Sequence, residues 1–128
     1  LLLTRGEEFG VHAGLDLIPG TVARLPDPVA GDADAARIPN VGWRRLQVRP
    51  NAPVLGGMAA DDWMYFVHSY APMVDDPDNI AATIHINGAD IPVAIVRDNV
   101  VGIQFHPEKS GPAGLRLLAR FLEAKLGT

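Results

Sequence analysis

Histidine and glutamate lie two residues apart in the segment Gln104–Glu108, and this spacing suits proton-transfer chemistry. A carboxylate so close to an imidazole can hold one ring nitrogen and thereby decide which nitrogen acts on a substrate. His106 and Glu108 would then be two members of a nucleophile–base–orienter relay. The alternative is that both are ordinary surface side chains in a loop between a strand and a helix.

A strand is predicted to carry this pair. The segment Val100–Phe105 alternates apolar residues with small or polar ones, which is the period-two pattern of a strand with one apolar face. Pro107 has no N–H to donate to a neighbouring strand and therefore ends this one. His106 is thus expected at the carboxyl end of a strand, the usual position of sites in open α/β sheets.

The rest of the pattern predicts several short strands. They are expected at residues 21–25, 46–48, 63–70 (ended by Pro72), 81–86 and 91–97. Asp98-Asn99 has the form of a two-residue hairpin turn, which would make the last three strands antiparallel neighbours. Leu1–Leu3 is expected to be the end of a helix.

The final segment predicts an amphipathic helix from near Pro112 to Leu126, with Ser110 as its cap. Its buried stripe is expected to consist of Leu115, Leu118, Phe121 and Leu122. The predicted fold class is therefore α/β, with a mixed sheet, antiparallel hairpins and a closing helix.

Composition and charge restrict the partners, the location and the kinds of site that the chain can have. The 128 residues form at most one domain, and the net charge of −4 disfavours nucleic acid or an anionic membrane as the main partner. No apolar run approaches the ~18 residues of a membrane span, and the expected location is the cytoplasm. The sequence has no cysteine, which excludes disulfides and thiol catalysis by these residues. Its histidines are scattered, so we expect neither a metal nor a cofactor.

The motif Gln-Phe-His-Pro-Glu at residues 104–108 resembles the His/Glu signature of class I, or triad-type, glutamine amidotransferases. Three further segments are similar to the glutaminase subunits of imidazole glycerol phosphate synthases: Pro39–Trp43, Tyr65–Tyr70 and Lys109-Ser110. The resemblance extends to about Leu126 and covers nearly the whole chain.

This resemblance implies a flavodoxin-like α/β domain and a Cys-His-Glu triad. Residues 1–128 would form the carboxyl-terminal portion of that domain, because the nucleophile of the family would lie shortly before Leu1. The amino-terminal portion with its cysteine is accordingly expected to be absent. His106 and Glu108 would be the catalytic members of the triad in this sequence.

The resemblance also implies substrate contacts. Glu8, the second glutamate of Glu-Glu-Phe-Gly, would meet the α-amino group of glutamine through a charge-assisted bond. Main-chain groups of Ser69, Tyr70 and Ala71 would bind the carboxylate of glutamine, because backbone N–H groups at a strand end can form an anion site. The alternative for Glu8 is a solvated carboxylate without a ligand.

A partner is implied as well. In the family the segment Pro39-Asn40-Val41-Gly42-Trp43 faces the cyclase (synthase) barrel subunit near the exit for ammonia. Pro39, Asn40, Gly42 and Trp43 are therefore the expected interface residues, with Trp43 as an anchor. Alternatively, Trp43 is an ordinary core residue.

The implied activity is hydrolysis of glutamine to supply ammonia for imidazole ring formation in histidine biosynthesis. Without a nucleophile, the chain by itself is expected to be inactive. Two alternatives remain open from the sequence: a non-catalytic interaction module that keeps the partner-facing segment, and a glutaminase that serves a different synthase.

Overall fold

The computed structural model describes residues 2–28, 37–49, 55, 63–98 and 100–123. In chain order the strands within these ranges are β1 (Leu3–Gly6), β2 (His12–Ala13), β3 (Ile18–Arg24), β4 (Asn40–Arg45), β5 (Gln47–Val48), β6 (Trp63–His68), β7 (Tyr70–Val74), β8 (Ile80–Ile86), β9 (Ala89–Arg97) and β10 (Val100–Ile103). The α-helix is α1 (Gly111–Glu123), and single 3₁₀ turns lie at Pro77–Asn79 and Pro107–Lys109.

The described strands form three sheets, with the orders β2-β1-β3-β7, β10-β9-β8-β5 and β4-β6. Strand β1 runs parallel to β3, and the other pairings in this part of the chain are antiparallel. The predicted α/β class with a mixed sheet and a closing helix is therefore confirmed.

The predicted antiparallel neighbours near the carboxyl end are also confirmed. Strands β8 and β9 are joined by Asn87-Gly88, whose positive φ angles of 50° and 79° suit the tight turn of a twisted hairpin. Strands β9 and β10 are joined across Asp98, also at positive φ, with Arg97 opposite Val100.

Strand β10 ends at Ile103, earlier than the alternation of residues predicts. The Gln104 N–H still donates to the Val93 carbonyl, at 2.8 Å, but the His106 N–H donates to the Tyr65 carbonyl, at 3.0 Å. The chain therefore leaves β9 and joins β6 just before the His/Glu pair.

The prediction of a helix end at Leu1–Leu3 is wrong for the described residues; Leu1 lies outside them. Leu3 begins β1 and packs in a small buried cluster with Ile18 and Ile95. Strand β1 lies between β2 and β3, and a short apolar run suits such an interior strand as well as a helix.

The predicted strand at residues 63–70 is divided at Ser69. Its first part is β6, whereas Tyr70 begins β7, which belongs to a different sheet. Pro72 lies inside β7 and does not end a strand. It is tolerated because β7 pairs with β3 on one side and forms the edge of its sheet.

The main core is aromatic and aliphatic. Phe66 of β6 packs edge-to-face on Phe105, with ring centroids 5.6 Å apart, and both side chains are buried. Leu117 of α1 joins the same cluster together with the inward side chains of β8 and β9. Phe105, which directly precedes His106, is thus fixed by the core.

The predicted buried stripe of the final helix is wrong. Leu115 and Leu122 are 64% and 82% exposed, and Leu118 and Phe121 are only partly covered. The helix instead buries Gly114 and Leu117, because its backbone lies directly against the turn at Pro107. The described helix is not long and apolar enough to cross a membrane.

Gly114 allows this close approach, since a Cβ atom added there would overlap the Pro107 carbonyl. Helix propensity alone favours alanine over glycine by about 1 kcal/mol. We expect the opposite for Gly114→Ala, a loss of about 1–3 kcal/mol in the free energy of unfolding. Chemical denaturation measures it, with Ala119→Gly at an exposed position of the same helix as the control for propensity. A stabilised Gly114→Ala protein would contradict the close contact.

Candidate active site

The predicted catalytic pair is in hydrogen-bonding contact. His106 Nδ1 lies 2.9 Å from Glu108 Oε1, and both side chains are partly exposed. An ionised carboxylate can only accept a hydrogen bond, so Nδ1 carries the proton and donates it. This leaves Nε2 as the nitrogen that can accept a proton from another group.

The main chain holds this pair in place. The His106 N–H donates to the Tyr65 carbonyl, and the Tyr65 N–H donates to Ser110 Oγ, each at 3.0 Å. The Ser110 hydroxyl in turn donates to the His106 carbonyl at 2.6 Å. Ser110 is buried. Its hydroxyl bonds to Tyr65 of β6 and to His106 of the turn, whereas the sequence predicted that it caps the helix.

The Glu108 carboxylate is held in its charged form. A hydrogen bond from its own backbone N–H lowers its pKa most, and the hydrogen bond from His106 lowers it further. Its position next to Lys109 acts in the same direction. The charged carboxylate can only accept the hydrogen bond from His106 Nδ1.

A cleft of about 320 Å³ lies beside the ends of β6 and β10. Its polar lining consists of Glu8, His68, Ser69, Tyr70 and Gln104. The structure therefore brings together three of the four predicted substrate-binding residues; Ala71 is buried and does not line the cleft. His106 and Glu108 are not among its lining residues, but Gln104 connects the cleft to them along the chain.

The backbone at Tyr70 has a fixed direction. The Ser69 carbonyl accepts a hydrogen bond of 2.8 Å from the Leu25 N–H, on the side of β3. Because the N–H and C=O of a trans peptide point in opposite directions, the Tyr70 N–H points away from β3. By the same rule the Ala71 N–H points away from the Tyr70 carbonyl and towards β3. Of these two donors, only the Tyr70 N–H is directed away from the sheet.

His68 and Asn40 form a buried polar pair that sequence reasoning missed. His68 Nδ1 lies 3.0 Å from the Tyr70 carbonyl oxygen, and its Nε2 lies 3.0 Å from Asn40 Nδ2. Arg44 Nε donates to Asn40 Oδ1 at 3.2 Å, which orients the amide. The available signal was the period of two, which places His68 on the same inward face as Phe66.

The Pro39–Trp43 segment divides between two faces of the β4–β6 ribbon. Trp43 is 50% exposed and packs edge-to-face on Tyr65, with centroids 5.8 Å apart, so it is not a core residue. Pro39 is also exposed and Gly42 is partly exposed. Asn40 is only 1% exposed, and the prediction that its side chain faces a partner does not fit this burial.

The outward face of the same ribbon is mostly apolar, with Arg45 opposite Trp63 at one end. Val41 lies opposite Val67 and Trp43 lies opposite Tyr65, and the two valines are 57% and 45% exposed. Trp63, at the end of β6, is 51% exposed. Among the described residues no cluster of histidine, cysteine or carboxylate side chains could hold a metal ion.

The sequence profile of the family described as "Glutamine amidotransferase class-I" matches residues 9–124. The chain belongs to this family. The match confirms the resemblance predicted from residues 104–108, and it contains both members of the His/Glu pair and the Ser69–Ala71 segment.

Curated relatives of this class I amidotransferase chain are similar along nearly all of it. An imidazole glycerol phosphate synthase subunit HisH from Chloroflexus aurantiacus is 46% identical over 125 residues, which cover 95% of the chain and 56% of that protein. The subunit of the same name from Geobacter sulfurreducens is 42% identical over 125 residues, 98% of the chain and 59% of that protein. The chain therefore spans somewhat more than half the length of these relatives.

Burial of His68 predicts a pH effect on stability. Burial lowers its pKa below the ordinary 6.5, the Tyr70 carbonyl opposes this in part, and Arg44 lowers the pKa further. The unfolded chain therefore takes up a proton near pH 6.5 that the folded amidotransferase chain does not. His68 stabilises the fold fully above that pH, and the contribution is lost as the pH falls through the folded pKa.

We therefore expect the free energy of unfolding to decrease between pH 7.5 and pH 5 by more in the wild type than in His68→Gln, which has no ionisable ring. Urea denaturation at the two pH values measures this difference. Equal decreases in the two proteins would show that His68 titrates in the same way in the folded and unfolded chains.

Proposed function

We propose that this chain is the carboxyl-terminal part of the glutaminase subunit of an imidazole glycerol phosphate synthase. In the complete subunit it would hydrolyse glutamine and supply ammonia for imidazole ring formation. The observation that carries the proposal is the 2.9 Å hydrogen bond between His106 and Glu108 in a chain of the class I amidotransferase family. The similarity to HisH subunits supports the choice of synthase.

The reaction is acyl transfer. A thiolate from outside these 128 residues attacks the side-chain carboxamide of glutamine, and backbone amides stabilise the oxyanion that forms. His106 Nε2 takes the proton of the thiol and gives it to the departing nitrogen, which leaves as ammonia. Water, again deprotonated by His106, then hydrolyses the thioester to glutamate. Glu108 orients the ring and stabilises its imidazolium form.

The cleft beside β6 would bind the rest of the substrate. Glu8 would hold the α-amino group by a charge-assisted bond, and the Tyr70 N–H would donate to the carboxylate. Glu8 and Tyr70 line the same cleft, and its volume of about 320 Å³ suits an amino acid better than a large ligand.

The sequence contains no cysteine, and we propose that its residues act only as part of a longer protein. The outward apolar face of β4 and β6, with Trp43 near its centre, would dock on the cyclase barrel subunit. A half-exposed tryptophan on a rigid strand has the geometry of an interface anchor.

The catalytic assignment predicts unequal losses from two substitutions in the complete subunit assembled with its cyclase partner. His106→Asn should lower turnover of glutamine by about 10³-fold or more, because the acid–base group is lost. Glu108→Gln should cost less, because an amide still orients the ring but stabilises its positive charge poorly. Steady-state glutaminase assays measure both. A folded His106→Asn enzyme with near-normal turnover would refute the assignment, as would glutaminase activity from these 128 residues alone.

The interface assignment predicts that Trp43→Ala weakens binding of the cyclase subunit by about 2 kcal/mol or more. The melting temperature of the subunit itself should change little, because half of the side chain is already exposed. Phe121→Ala is the matched control, since Phe121 is 47% exposed but lies on α1. Titration calorimetry gives the affinities. Equal affinities for the wild type and Trp43→Ala would place the interface elsewhere.

A further inference from the structure

His68 connects two parts of the molecule that the proposed function treats separately. It lines the cleft with Glu8 and Tyr70, and its ring is bonded to Asn40 of the predicted partner-facing segment. Asn40 and His68 are also direct neighbours across the β4–β6 ladder. Their contact is therefore fixed by strand register as well as by the side chains.

The tautomer of His68 follows from its two neighbours. The Tyr70 carbonyl can only accept, so Nδ1 must carry the hydrogen. Nε2 then has a free lone pair, and the Asn40 amide nitrogen donates to it. Because Arg44 donates to Asn40 Oδ1, the amide cannot flip to place its oxygen against Nε2 without losing that bond.

The bond to Tyr70 has a consequence for the cleft. The Ser69 carbonyl is held by the Leu25 N–H, and the Tyr70 carbonyl is held by His68. The peptide before Tyr70 and the peptide after it are therefore both held by hydrogen bonds. The Tyr70 N–H thus keeps one direction, away from β3. A donor held in place before the substrate arrives binds an anion with little loss of conformational entropy.

We propose that His68 is a positioning residue for recognition of the substrate carboxylate: its Nδ1–H holds the Tyr70 carbonyl and thereby the conformation of the residue whose N–H faces the cleft, and Asn40 selects that tautomer. The inference rests on the proposed function for the identity of the substrate. His68 exchanges no proton with the substrate in this role, and its effect is on binding of glutamine, not on the acid–base steps at His106.

Two substitutions at His68 separate positioning from mere packing. Asparagine places an amide nitrogen near the position of Nδ1 and can still donate to the Tyr70 carbonyl. Glutamine places its amide near the position of Nε2 and keeps contact with Asn40, but it loses the donor to Tyr70. His85→Gln, which replaces an exposed histidine of β8 that does not line the cleft, is the control.

The experiment uses the complete subunit assembled with its cyclase partner. We expect His68→Gln to raise the KM for glutamine about tenfold, equivalent to ~1.4 kcal/mol, with kcat within about threefold of the wild type. His68→Asn should restore most of the affinity, and His85→Gln should match the wild type. Equal KM values for His68→Asn and His68→Gln, or a loss confined to kcat, would overturn the proposal.

A spectroscopic arm is independent of turnover. Long-range ¹H–¹⁵N correlation spectra of the wild-type protein near neutral pH should show His68 with hydrogen on Nδ1 alone. In Asn40→Asp a carboxylate oxygen faces Nε2 and can only accept, so Nε2 should also carry hydrogen. A wild-type ring with hydrogen on Nε2 would overturn the proposal even if the His68 variants fail to fold. Absence of glutamine hydrolysis with the expected tautomer would instead count against the proposed function.

Discussion

The backbone of Tyr65 makes the two hydrogen bonds on which the geometry of the candidate site depends. Its carbonyl accepts from the His106 N–H and its N–H donates to Ser110 Oγ, so one residue of β6 holds both ends of the turn that contains Glu108. The 2.9 Å contact between His106 and Glu108 is a local bond within a turn whose position is set from β6.

Strand β6 also contributes to both predicted roles of the chain, substrate binding and docking of a partner. Its inward residues, which include Phe66 and His68, support the core and the cleft, whereas its outward residues form an apolar face with Trp43 of β4. A strand can serve both purposes because successive side chains point to opposite faces. The proposed docking face and the buried Asn40–His68 pair thus lie on opposite faces of one ribbon, and Val67 of the docking face also lines the proposed substrate cleft.

The two histidines of the candidate site, His106 and His68, lie in different electrostatic environments. His106 is partly exposed and bonded to a carboxylate held in its charged form, an environment that suits the proposed acid–base role. His68 is buried between an amide and a carbonyl, and burial lowers its pKa. Low hydration and the nearby charge of Arg44 both favour the uncharged ring, an environment that suits a fixed hydrogen-bond donor.

The sequence by itself determined the local features. Alternating residues indicated the strands that became β8, β9 and β10, and the spacing of His106 and Glu108 was enough to predict their contact, because two residues in one turn cannot be far apart. The tertiary structure alone decided which faces are buried. Leu115 and Leu122 fit the helical pattern and are exposed, because the contact of Gly114 with Pro107 sets the orientation of α1. The Asn40–His68 pair likewise depends on the register between two strands distant in sequence, which local periodicity does not contain.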